Sequence, residues 1–397
     1  MTNPLLGVLY HWLGGLASAS FYIPYRGVRR WSWETYWLVG GFFSWIIAPL
    51  VFAQLLVPDF WSLISSAPRS SLWWSYIFGV MWGMGGLTFG LTMRYLGIAL
   101  GMAVALGFCA AFGTLVPPVF AGEFGEILGT TSGQIILFGV FACLVGIAIS
   151  GAAGMSKEQE LSTEQKTATV KEFHFKKGML VAIFAGVMSS CFAYGLAAGK
   201  PLGDLTRESL LARGGSDLWQ NLPVLVLVLW GGFTTNFIWC VILNIRNRSS
   251  HEYLNMRGDS VGEMSAVEGV MMSGAAGEAI NQDPVAPGTP IPAGVQPHRA
   301  PLLRNYLLCA LAGVTWYLQF FFYSMGSTKM GAYDFSSWTL HMASIIIFST
   351  LWGIVLHEWR GSSRRTLVLV VLGLAVLVGS TVIVGYGNFL GNSPSGH

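Results

Sequence analysis

The sequence predicts an all-α polytopic membrane protein with ten transmembrane helices, arranged as two inverted repeats of five helices. Of its 397 residues, 53% are hydrophobic and only 10% are charged, whereas soluble domains carry about 25% charged residues. The apolar residues gather in runs near the ~20 residues that a helix needs to cross a bilayer. Soluble folds are therefore excluded, the lipid bilayer is the first predicted partner, and a net charge of +3 is too small to indicate nucleic acid.

Ten such runs follow one another along the chain. The predicted spans are residues 4–25, 34–56, 72–95, 97–121, 134–152, 178–199, 222–245, 301–325, 333–357 and 366–388. The third and fourth spans are nearly continuous, and Arg94 lies close to the turn between them. Pro49 is expected to kink the second span, and the pair Pro117-Pro118 to kink or end the fourth.

Lysine and arginine are distributed unevenly among the connections between these spans. The connections that follow odd-numbered spans hold 17 of the 22 basic residues, and the other connections hold 5. Because basic connections stay in the cytoplasm, this bias places the odd-numbered connections inside the cell. Both termini are then predicted to lie outside, on one side of the membrane, as an even number of spans requires.

A short internal repeat divides the chain into halves. The stretch from Gly15 to Phe21 (GLASASF) resembles the stretch from Gly186 to Phe192 (GVMSSCF), 171 positions later, although chance is the alternative for so simple a match. Five spans per half would leave the halves in opposite orientations, and such inverted repeats are typical of transporters. We therefore assign residues 1–152 to the first repeat, residues 178–388 to the second and residues 389–397 to a tail.

Two predicted cytoplasmic connections are long. Residues 153–177 form a charged linker between the halves, and residues 247–300 interrupt the second repeat. The second connection is rich in glycine and proline and cannot bury enough apolar surface to fold, so we predict that it is disordered. Its segment AVEGVMMSGAAGEAI could form a short helix at the membrane interface, but a linker without a function of its own is the favoured interpretation.

Polar and aromatic side chains lie on one face of each of the eighth and ninth spans. They are Trp316, Gln319 and Tyr323, at i, i+3 and i+7, and Asp334, Trp338 and His341, at i, i+4 and i+7. Residues at these spacings share a helical face. In hydrocarbon such groups are costly unless they find partners or water. The two faces therefore predict the wall of a polar cavity, and a sugar suits it because sugars stack on aromatic rings and hydrogen-bond to amides and carboxylates.

Ionisable groups within the spans are candidates for carrying a proton. His11 shares a small, polar face with Gly15, Ser18 and Tyr22, and histidine titrates near neutral pH. Asp334 and His341 are the leading pair, because a carboxylate withdrawn from water binds a proton more readily. The alternatives are an interfacial histidine at 11 and a solvated or capping acid at 334. We predict proton coupling by Asp334, His341 and His11, and sugar contacts from Trp316, Gln319, Tyr323, Trp338 and Tyr22.

Three charged residues lie at the ends of spans, where a gate or a membrane anchor is expected. Glu34 begins the second span and complements the helix dipole, and Arg94 is close to the end of the third; both are on the predicted cytoplasmic side. Arg94 pairing with an acid such as Glu34 would close an inner gate, whereas positive-inside anchoring is the alternative. Lys200 ends the sixth span on the outer side, against the charge bias, so a functional role is plausible.

The sequence carries no pattern typical of an enzyme or a metal site. Its five cysteines fall in apolar runs without CxxC spacing and are predicted to pack as small hydrophobes. The seven histidines are scattered, and neither a nucleophile with its base nor an HExxH motif is present. We therefore predict no enzymatic activity, no metal and no cofactor other than a coupling proton. A membrane sensor is the alternative from another functional class. A sensor needs a folded cytoplasmic domain to pass on its signal, and residues 247–300 are not expected to fold into one.

Several motifs that are typical of one transporter family occur in the same order over nearly the whole chain. The most specific are WSWE, LTMRYLG, WYLQFFFY and SWTLHM. They resemble the L-rhamnose–proton symporter family of the drug/metabolite transporter superfamily. The resemblance implies ten spans in a bacterial inner membrane and uptake of a 6-deoxyhexose with a proton. Two features depart from the family: residues 85–89 read GGLTF, where an amide and a tyrosine are expected, and the connection after the seventh span is longer. The first departure leaves a different sugar or small metabolite as an alternative substrate.

Overall fold

The computed structural model describes residues 2–160, 174–254 and 300–392, and within these ranges the secondary structure is helical throughout. We number the ten longest helices α1 to α10. They are α1 Pro4–Ser20, α2 Trp33–Leu56, α3 Arg69–Leu96, α4 Ile98–Phe120, α5 Thr131–Glu160, α6 Phe175–Ala198, α7 Leu222–Asn247, α8 Leu302–Met330, α9 Ser337–Val355 and α10 Arg364–Gly391. Shorter helical segments lie between them: Tyr22–Tyr25, Phe60–Ser66, Phe124–Gly129 and Lys200–Ala212, and the 3-10 turns Asp217–Trp219, Ser249–Leu254 and Gly331–Ser336.

The lengths of these helices confirm a polytopic membrane protein. In the described part of the chain, nine helices, α2 to α10, are long and apolar enough to cross a bilayer. Helix α1 has 17 residues, which at 1.5 Å per residue gives a length of roughly 26 Å. It is followed by the short helix Tyr22–Tyr25. That α1 forms a tenth span stays a prediction.

Helix α2 is interrupted by a π-helical turn, Phe42–Ile47. Pro49 lies two residues after this turn and has no N–H to donate to the carbonyl of Trp45, four residues earlier, which loosens the helix at this point. The predicted kink at Pro49 therefore takes the form of a wider turn. Pro117 and Pro118 lie inside the last turn of α4, which continues only to Phe120.

The helices pack in two similar groups. Helix α1 contacts α8 and α9, while α6 contacts α3 and α4. Helix α5 packs along α10, and α2 packs against α7 and α8. Glycines permit the closest approaches: a Cβ added to Gly15 of α1 would lie 2.5 Å from Ser344 Cβ of α9, and one added to Gly186 of α6 would lie 2.6 Å from the Ala105 carbonyl oxygen of α4.

Helix α5 is longer than the sequence predicted. It continues past residue 152 to Glu160, through SKEQE, residues whose side chains are mostly tolerated well in helices. The Glu160 carboxylate accepts hydrogen bonds from the Ser363 backbone N–H at 2.9 Å and from the Thr366 hydroxyl at 2.6 Å. The end of α5 thus stabilises the start of α10. The remainder of the predicted linker, residues 161–173, lies outside the described residues.

The connection after α7 begins with ordered structure. Residues 249–254, which the sequence assigned to a disordered loop, form a 3-10 turn that packs against the connection between α1 and α2. Residues 255–299, including the segment AVEGVMMSGAAGEAI, lie outside the described residues. In the predicted tail, α10 continues to Gly391, and residues 393–397 again lie outside the described part.

A half-buried ion pair stabilises the end of α8. Lys329 Nζ lies 2.9 Å from Asp217 Oδ1, and the two side chains are only 8% and 19% exposed. We expect Lys329→Met to lower the free energy of unfolding by about 1–2 kcal/mol, because a poorly hydrated carboxylate loses a charged hydrogen-bond donor. Thermal unfolding of the purified protein in detergent measures the loss.

The matched control is Arg213→Met, which removes the partner of Asp59 in a pair whose side chains are 53% and 49% exposed. Exposed ion pairs contribute about 0–1 kcal/mol, so this variant should unfold close to the wild-type temperature. Equal losses in the two variants would contradict the importance of burial.

Candidate substrate and proton site

His11 and His341 lie in the tight contact between α1, α8 and α9. Both imidazoles are completely buried. A Cβ at Gly14 would lie 2.8 Å from the Gln319 carbonyl oxygen and 3.4 Å from His341 Nδ1, and one at Gly326 would lie 2.7 Å from His11 Nε2. The glycines of α1 and α8 therefore let both rings approach the neighbouring backbone.

The ring of Tyr323 lies close to both histidines. Its centroid is 5.3 Å from that of His11 and 5.2 Å from that of His341. Among the described residues, none donates a hydrogen bond to or accepts one from any of the four imidazole nitrogens. A buried polar group without a partner costs about 1–3 kcal/mol. The pair is therefore suited to bind what the protein itself does not supply: a proton, a water or a hydroxyl group.

Trp338 lies on the side of this site that faces α4 and α6, and it contacts both helices. Its indole N–H donates to the Cys109 carbonyl oxygen at 3.0 Å. Its ring stacks on Phe192 of α6, with centroids 5.4 Å apart, and lies 6.0 Å from His341. Phe192 in turn stacks on Phe320 at 4.3 Å. Three helices thus supply flat aromatic faces around the histidines.

A second aromatic group surrounds Trp316. Its ring stacks on Trp82 at 5.8 Å and meets Trp45 edge-on at 5.1 Å. Phe320, 4.9 Å away, connects this group with the one around the histidines. A small cavity beside Trp316 leaves about 10 Å³ for the centre of a water molecule, which is room for roughly one water. This cavity is too small for a sugar, so a sugar fits beside Trp316 only if the rings separate.

The predicted sugar contacts divide between these two groups. Tyr323 and Trp338 lie beside the histidines, and Trp316 lies in the second group. Gln319 is buried, with 4% of its surface exposed. Tyr22 is buried too, but it packs on Phe21, with centroids 4.1 Å apart, at the far end of α1. The structure thus brings most of the predicted residues together and leaves Tyr22 apart from the histidines.

Asp334 does not share the face of His341. The sequence interpretation assumed one continuous helix through residues 334–341, whereas Asp334 lies in the 3-10 turn Gly331–Ser336 that precedes α9. A 3-10 turn advances about 120° per residue, so the spacing of a straight α-helix does not apply there. Asp334 is exposed and interacts electrostatically with Lys200 and Glu123. It therefore lies in the turn that precedes α9, within electrostatic range of Lys200.

Glu34 and Arg94 are not paired with each other. Glu34 is completely buried, and its Oε1 accepts hydrogen bonds from Asn247 Nδ2 at 3.1 Å and from Ser249 Oγ at 2.6 Å. Arg94 is half-buried at the end of α3. The carboxylate predicted to meet an arginine therefore meets neutral donors from the end of α7 and the turn after it.

Some of the enclosing residues were missed by the sequence interpretation as site residues. They are Phe21, Trp37, Trp45, Trp82 and Phe192. As apolar aromatic residues within apolar spans, they are indistinguishable by hydropathy from residues that face lipid. Phe21 and Phe192 did carry a signal, because each ends one copy of the internal repeat.

Comparison with known proteins relates this chain to a sugar transporter family. A family model described as L-rhamnose-proton symport protein matches residues 1–277 and 291–389. An L-rhamnose-proton symporter of Cronobacter sakazakii is 36% identical over 389 residues, covering 98% of this chain and 99% of its own. Symporters of the same name from Yersinia pestis and Yersinia pseudotuberculosis are 34% identical over 384 residues, covering 96% of this chain and 98% of their own. The chain belongs to the L-rhamnose–proton symporter family.

Proposed function

We propose that this protein imports L-rhamnose together with a proton across the bacterial inner membrane. The observation that carries the proposal is identity of 36% over nearly the full length of a named L-rhamnose-proton symporter. The buried site fits this activity, because it combines flat aromatic faces for a sugar ring with two imidazoles that have no hydrogen-bond partner among the described residues. The protein is a transporter and not an enzyme.

We infer ten spans, with α1 as the first and both termini outside the cell. Helix α1 packs between α8 and α9, two helices that are long and apolar enough to span the membrane. Both of these neighbours therefore lie beside it at membrane depth. The distribution of basic residues supports the orientation, because 17 of 22 lie in the connections that this topology places in the cytoplasm.

The packing supports two inverted repeats, α1 to α5 and α6 to α10. A two-fold axis that exchanges the halves would turn the contacts of α1 with α8 and α9 into contacts of α6 with α3 and α4, and both sets are formed. It would bring α5 onto α10 and α2 onto α7, and these contacts are formed too. Exchange of the two halves around a midplane site is the usual basis of alternating access.

A second sequence match between the halves supports this symmetry. The tetrapeptide that begins GV and ends in tryptophan occurs at Gly79–Trp82 in α3 and at Gly313–Trp316 in α8, 234 positions apart. The two tryptophans stack on each other. A Cβ at Gly79 would collide with the Val228 carbonyl oxygen of α7, and one at Gly313 with the Gly40 carbonyl oxygen of α2. Gly79 and Gly313 thus contact α7 and α2, the two helices that the proposed two-fold axis exchanges.

The site residues take the following roles in our proposal. His11 and His341 bind the proton, and Trp316, Gln319, Tyr323 and Trp338 contact the sugar. Asp334 and Lys200 lie at the outer entrance, where the acid attracts a proton from the periplasm. Tyr22 lines the route towards the cytoplasm, where Glu34 and Arg94 belong to the inner gate.

These roles define a transport cycle. A proton that binds the histidines from outside supplies hydrogen-bond donors for sugar hydroxyls, so the sugar binds best after the proton. Rocking of the two repeats then exposes the loaded site to the cytoplasm. The lower proton concentration there removes the proton, weakens the hold on the sugar and releases both.

Proteoliposomes that contain only this protein test the function. We expect L-rhamnose to accumulate when the exterior is acidic, to acidify the lumen as it enters, and to stop accumulating when a protonophore is added. Accumulation that persists with the proton gradient collapsed would contradict coupling.

A panel of sugars in the same vesicles tests the alternative substrate. The glycine-rich segment at residues 85–89 motivates this comparison. Transport of another sugar or metabolite in place of L-rhamnose would reassign the substrate, and no transport of any compound would favour a sensor.

A further inference from the structure

The small cavity beside Trp316 lies apart from the histidines, between α2, α8 and the end of α1. We call it the inner cavity, and its lining side chains are mostly aromatic: Phe21, Tyr25, Trp37, Ser44, Trp45 and Trp316. Trp316 precedes Tyr323 by seven residues on α8, which is about 10 Å of helical rise. In the proposed topology α8 runs from the cytoplasm to the outside, so the inner cavity lies on the cytoplasmic side of the histidines.

The π-helical turn of α2 shapes the inner cavity. Ser44 and Trp45 both belong to this turn, Phe42–Ile47. The ring of Trp45 lies on Gly41, because a Cβ added to Gly41 would be 2.6 Å from Trp45 Cζ3. Single π-helical turns are rare and are frequently found at functional sites.

The second half of the chain contains a counterpart of this part of α2. The tripeptide GGF occurs at residues 40–42 in α2 and again at residues 231–233 in α7, 191 positions later. Helix α7 is an uninterrupted α-helix at this point. The ring of Trp82 lies on Gly232 there, with its Cζ3 atom 2.5 Å from an added Cβ.

The two halves differ in which tryptophan covers the glycine. Trp316 is the counterpart of Trp82 in the proposed repeats, but Trp45 takes its place on Gly41. The ring of Trp316 instead meets Trp45 edge-on, with centroids 5.1 Å apart. The π-helical turn therefore breaks the symmetry of the halves at the inner cavity.

Polar groups of the inner cavity lack partners that a sugar can supply. The indole N–H of Trp45 is buried and has no acceptor among the described residues. The Ser44 hydroxyl donates to the Gly41 carbonyl oxygen at 3.3 Å, which leaves its lone pairs to accept from another donor. The indole N–H of Trp37 donates to Asn236 Oδ1 at 3.3 Å and so holds that ring in place. A free donor, an acceptor and flat aromatic faces are the groups that bind a sugar.

We propose that the inner cavity is a second sugar site, which L-rhamnose occupies between the histidines and the cytoplasm. The Trp45 N–H donates to one sugar hydroxyl, Ser44 accepts from another, and the ring of Trp316 lies against the sugar. The closed cavity has room for roughly one water, so the sugar enters as α2 moves away from α8 at the loosened π-helical turn. This assignment rests on the proposed function and topology.

Protection of a cysteine at position 44 tests the second site directly. Ser44→Cys, in the full-length protein with its buried cysteines replaced, is labelled by a membrane-impermeant maleimide in inside-out vesicles, which expose the cytoplasmic face. At about ten times its dissociation constant L-rhamnose leaves roughly a tenth of the sites free, so we expect labelling to slow about tenfold. Ser380→Cys is the matched control, because Ser380 is also buried and its hydroxyl donates to the carbonyl oxygen three residues earlier. Its labelling should not respond to the sugar.

Trp45→Phe distinguishes contact with the sugar from a closure of the cavity that sugar causes from elsewhere. The variant keeps an aromatic ring and loses the indole N–H. We therefore expect the L-rhamnose concentration that half-protects position 44, and the one that half-saturates exchange from the cytoplasmic side, to rise roughly three- to tenfold. Trp230→Phe should leave both concentrations unchanged, because the indole nitrogen of Trp230 is likewise buried without an acceptor in the described part of the chain but does not line the cavity.

The outcomes separate the second site from the proposed function. Exchange of L-rhamnose without protection of position 44 would overturn the second site and leave the function intact. Half-saturating concentrations that Trp45→Phe does not change would also overturn it, and this measurement decides if Ser44→Cys does not fold. Protection by a different sugar in place of L-rhamnose would support the second site and contradict only the proposed substrate.

Discussion

Replacing His341 with glutamine is expected to abolish accumulation of L-rhamnose while leaving exchange of the sugar across the membrane. A driving force of 100 mV on one proton is worth about 2.3 kcal/mol, which corresponds to roughly 50-fold accumulation of the coupled sugar. Because His11 and His341 bind the proton together in our proposal, the loss of one imidazole uncouples the sugar, and the ratio of sugar inside to sugar outside falls to one. Exchange of labelled for unlabelled sugar involves no net proton movement and therefore continues.

The environment of His341 explains why glutamine separates these effects. The imidazole is completely buried among the rings of Phe320, Tyr323 and Trp338. Glutamine has a similar reach and retains hydrogen-bonding groups for a sugar hydroxyl, but it does not take up a proton near neutral pH. Transport of radiolabelled L-rhamnose into proteoliposomes, with and without a proton gradient, measures accumulation and exchange in the same preparation.

His174→Gln is the matched control, because His174 is exposed at the start of α6, where it caps the helix. We expect this variant to accumulate rhamnose as the wild type does, and His11→Gln to behave like His341→Gln. Full accumulation in both His11→Gln and His341→Gln would place coupling elsewhere, with Asp334 as the next candidate.

The grouping around the histidines could be predicted because it depends on local geometry. Trp316, Gln319 and Tyr323 lie on an uninterrupted helix, so their spacing alone places them on one face. Polar residues in an apolar span must find partners, and His11 and His341 therefore had to turn inward. Spacing and the cost of exposing polar groups to lipid thus predicted that the two histidines meet Tyr323 and Trp338, but not that Asp334 and Tyr22 lie apart from them.

Features that depend on neighbouring helices escaped the sequence interpretation. Asp334 was placed on the face of His341 because the 3-10 turn before α9 has no clear sequence signal. The stack of Trp338, Phe192 and Phe320 joins three helices, and nothing in one helix distinguishes it from lipid-facing residues. The turn Ser249–Leu254 was missed because it is polar and adjoins a glycine-rich loop, and because it is held by tertiary contacts such as its hydrogen bonds with Ser32 and Glu34.

Adding a single methyl group at Gly79 or Gly313 is expected to destabilise the protein severely. A Cβ at either position would collide with the backbone carbonyl oxygen of a neighbouring helix, which has no flexible side chain to move aside. Overpacking costs about 1–3 kcal/mol, and a rigid backbone neighbour places both variants at the upper end. Because the proposed repeats make the two glycines equivalent, Gly79→Ala and Gly313→Ala should lose similar stability in thermal unfolding and similar rates of exchange.

Gly86 supplies the opposing case on the same helix as Gly79. No other group lies within 4 Å of a Cβ added there, in the part of the chain that the structure describes. Since alanine is favoured over glycine in helices by about 1 kcal/mol, Gly86→Ala should be neutral or slightly stabilising. The same substitution is thus expected to act with opposite sign at two positions seven residues apart. If Gly79→Ala were destabilising and Gly313→Ala were not, the equivalence of α3 and α8 would fail. Alternating access by exchange of two repeats would then lose its structural basis.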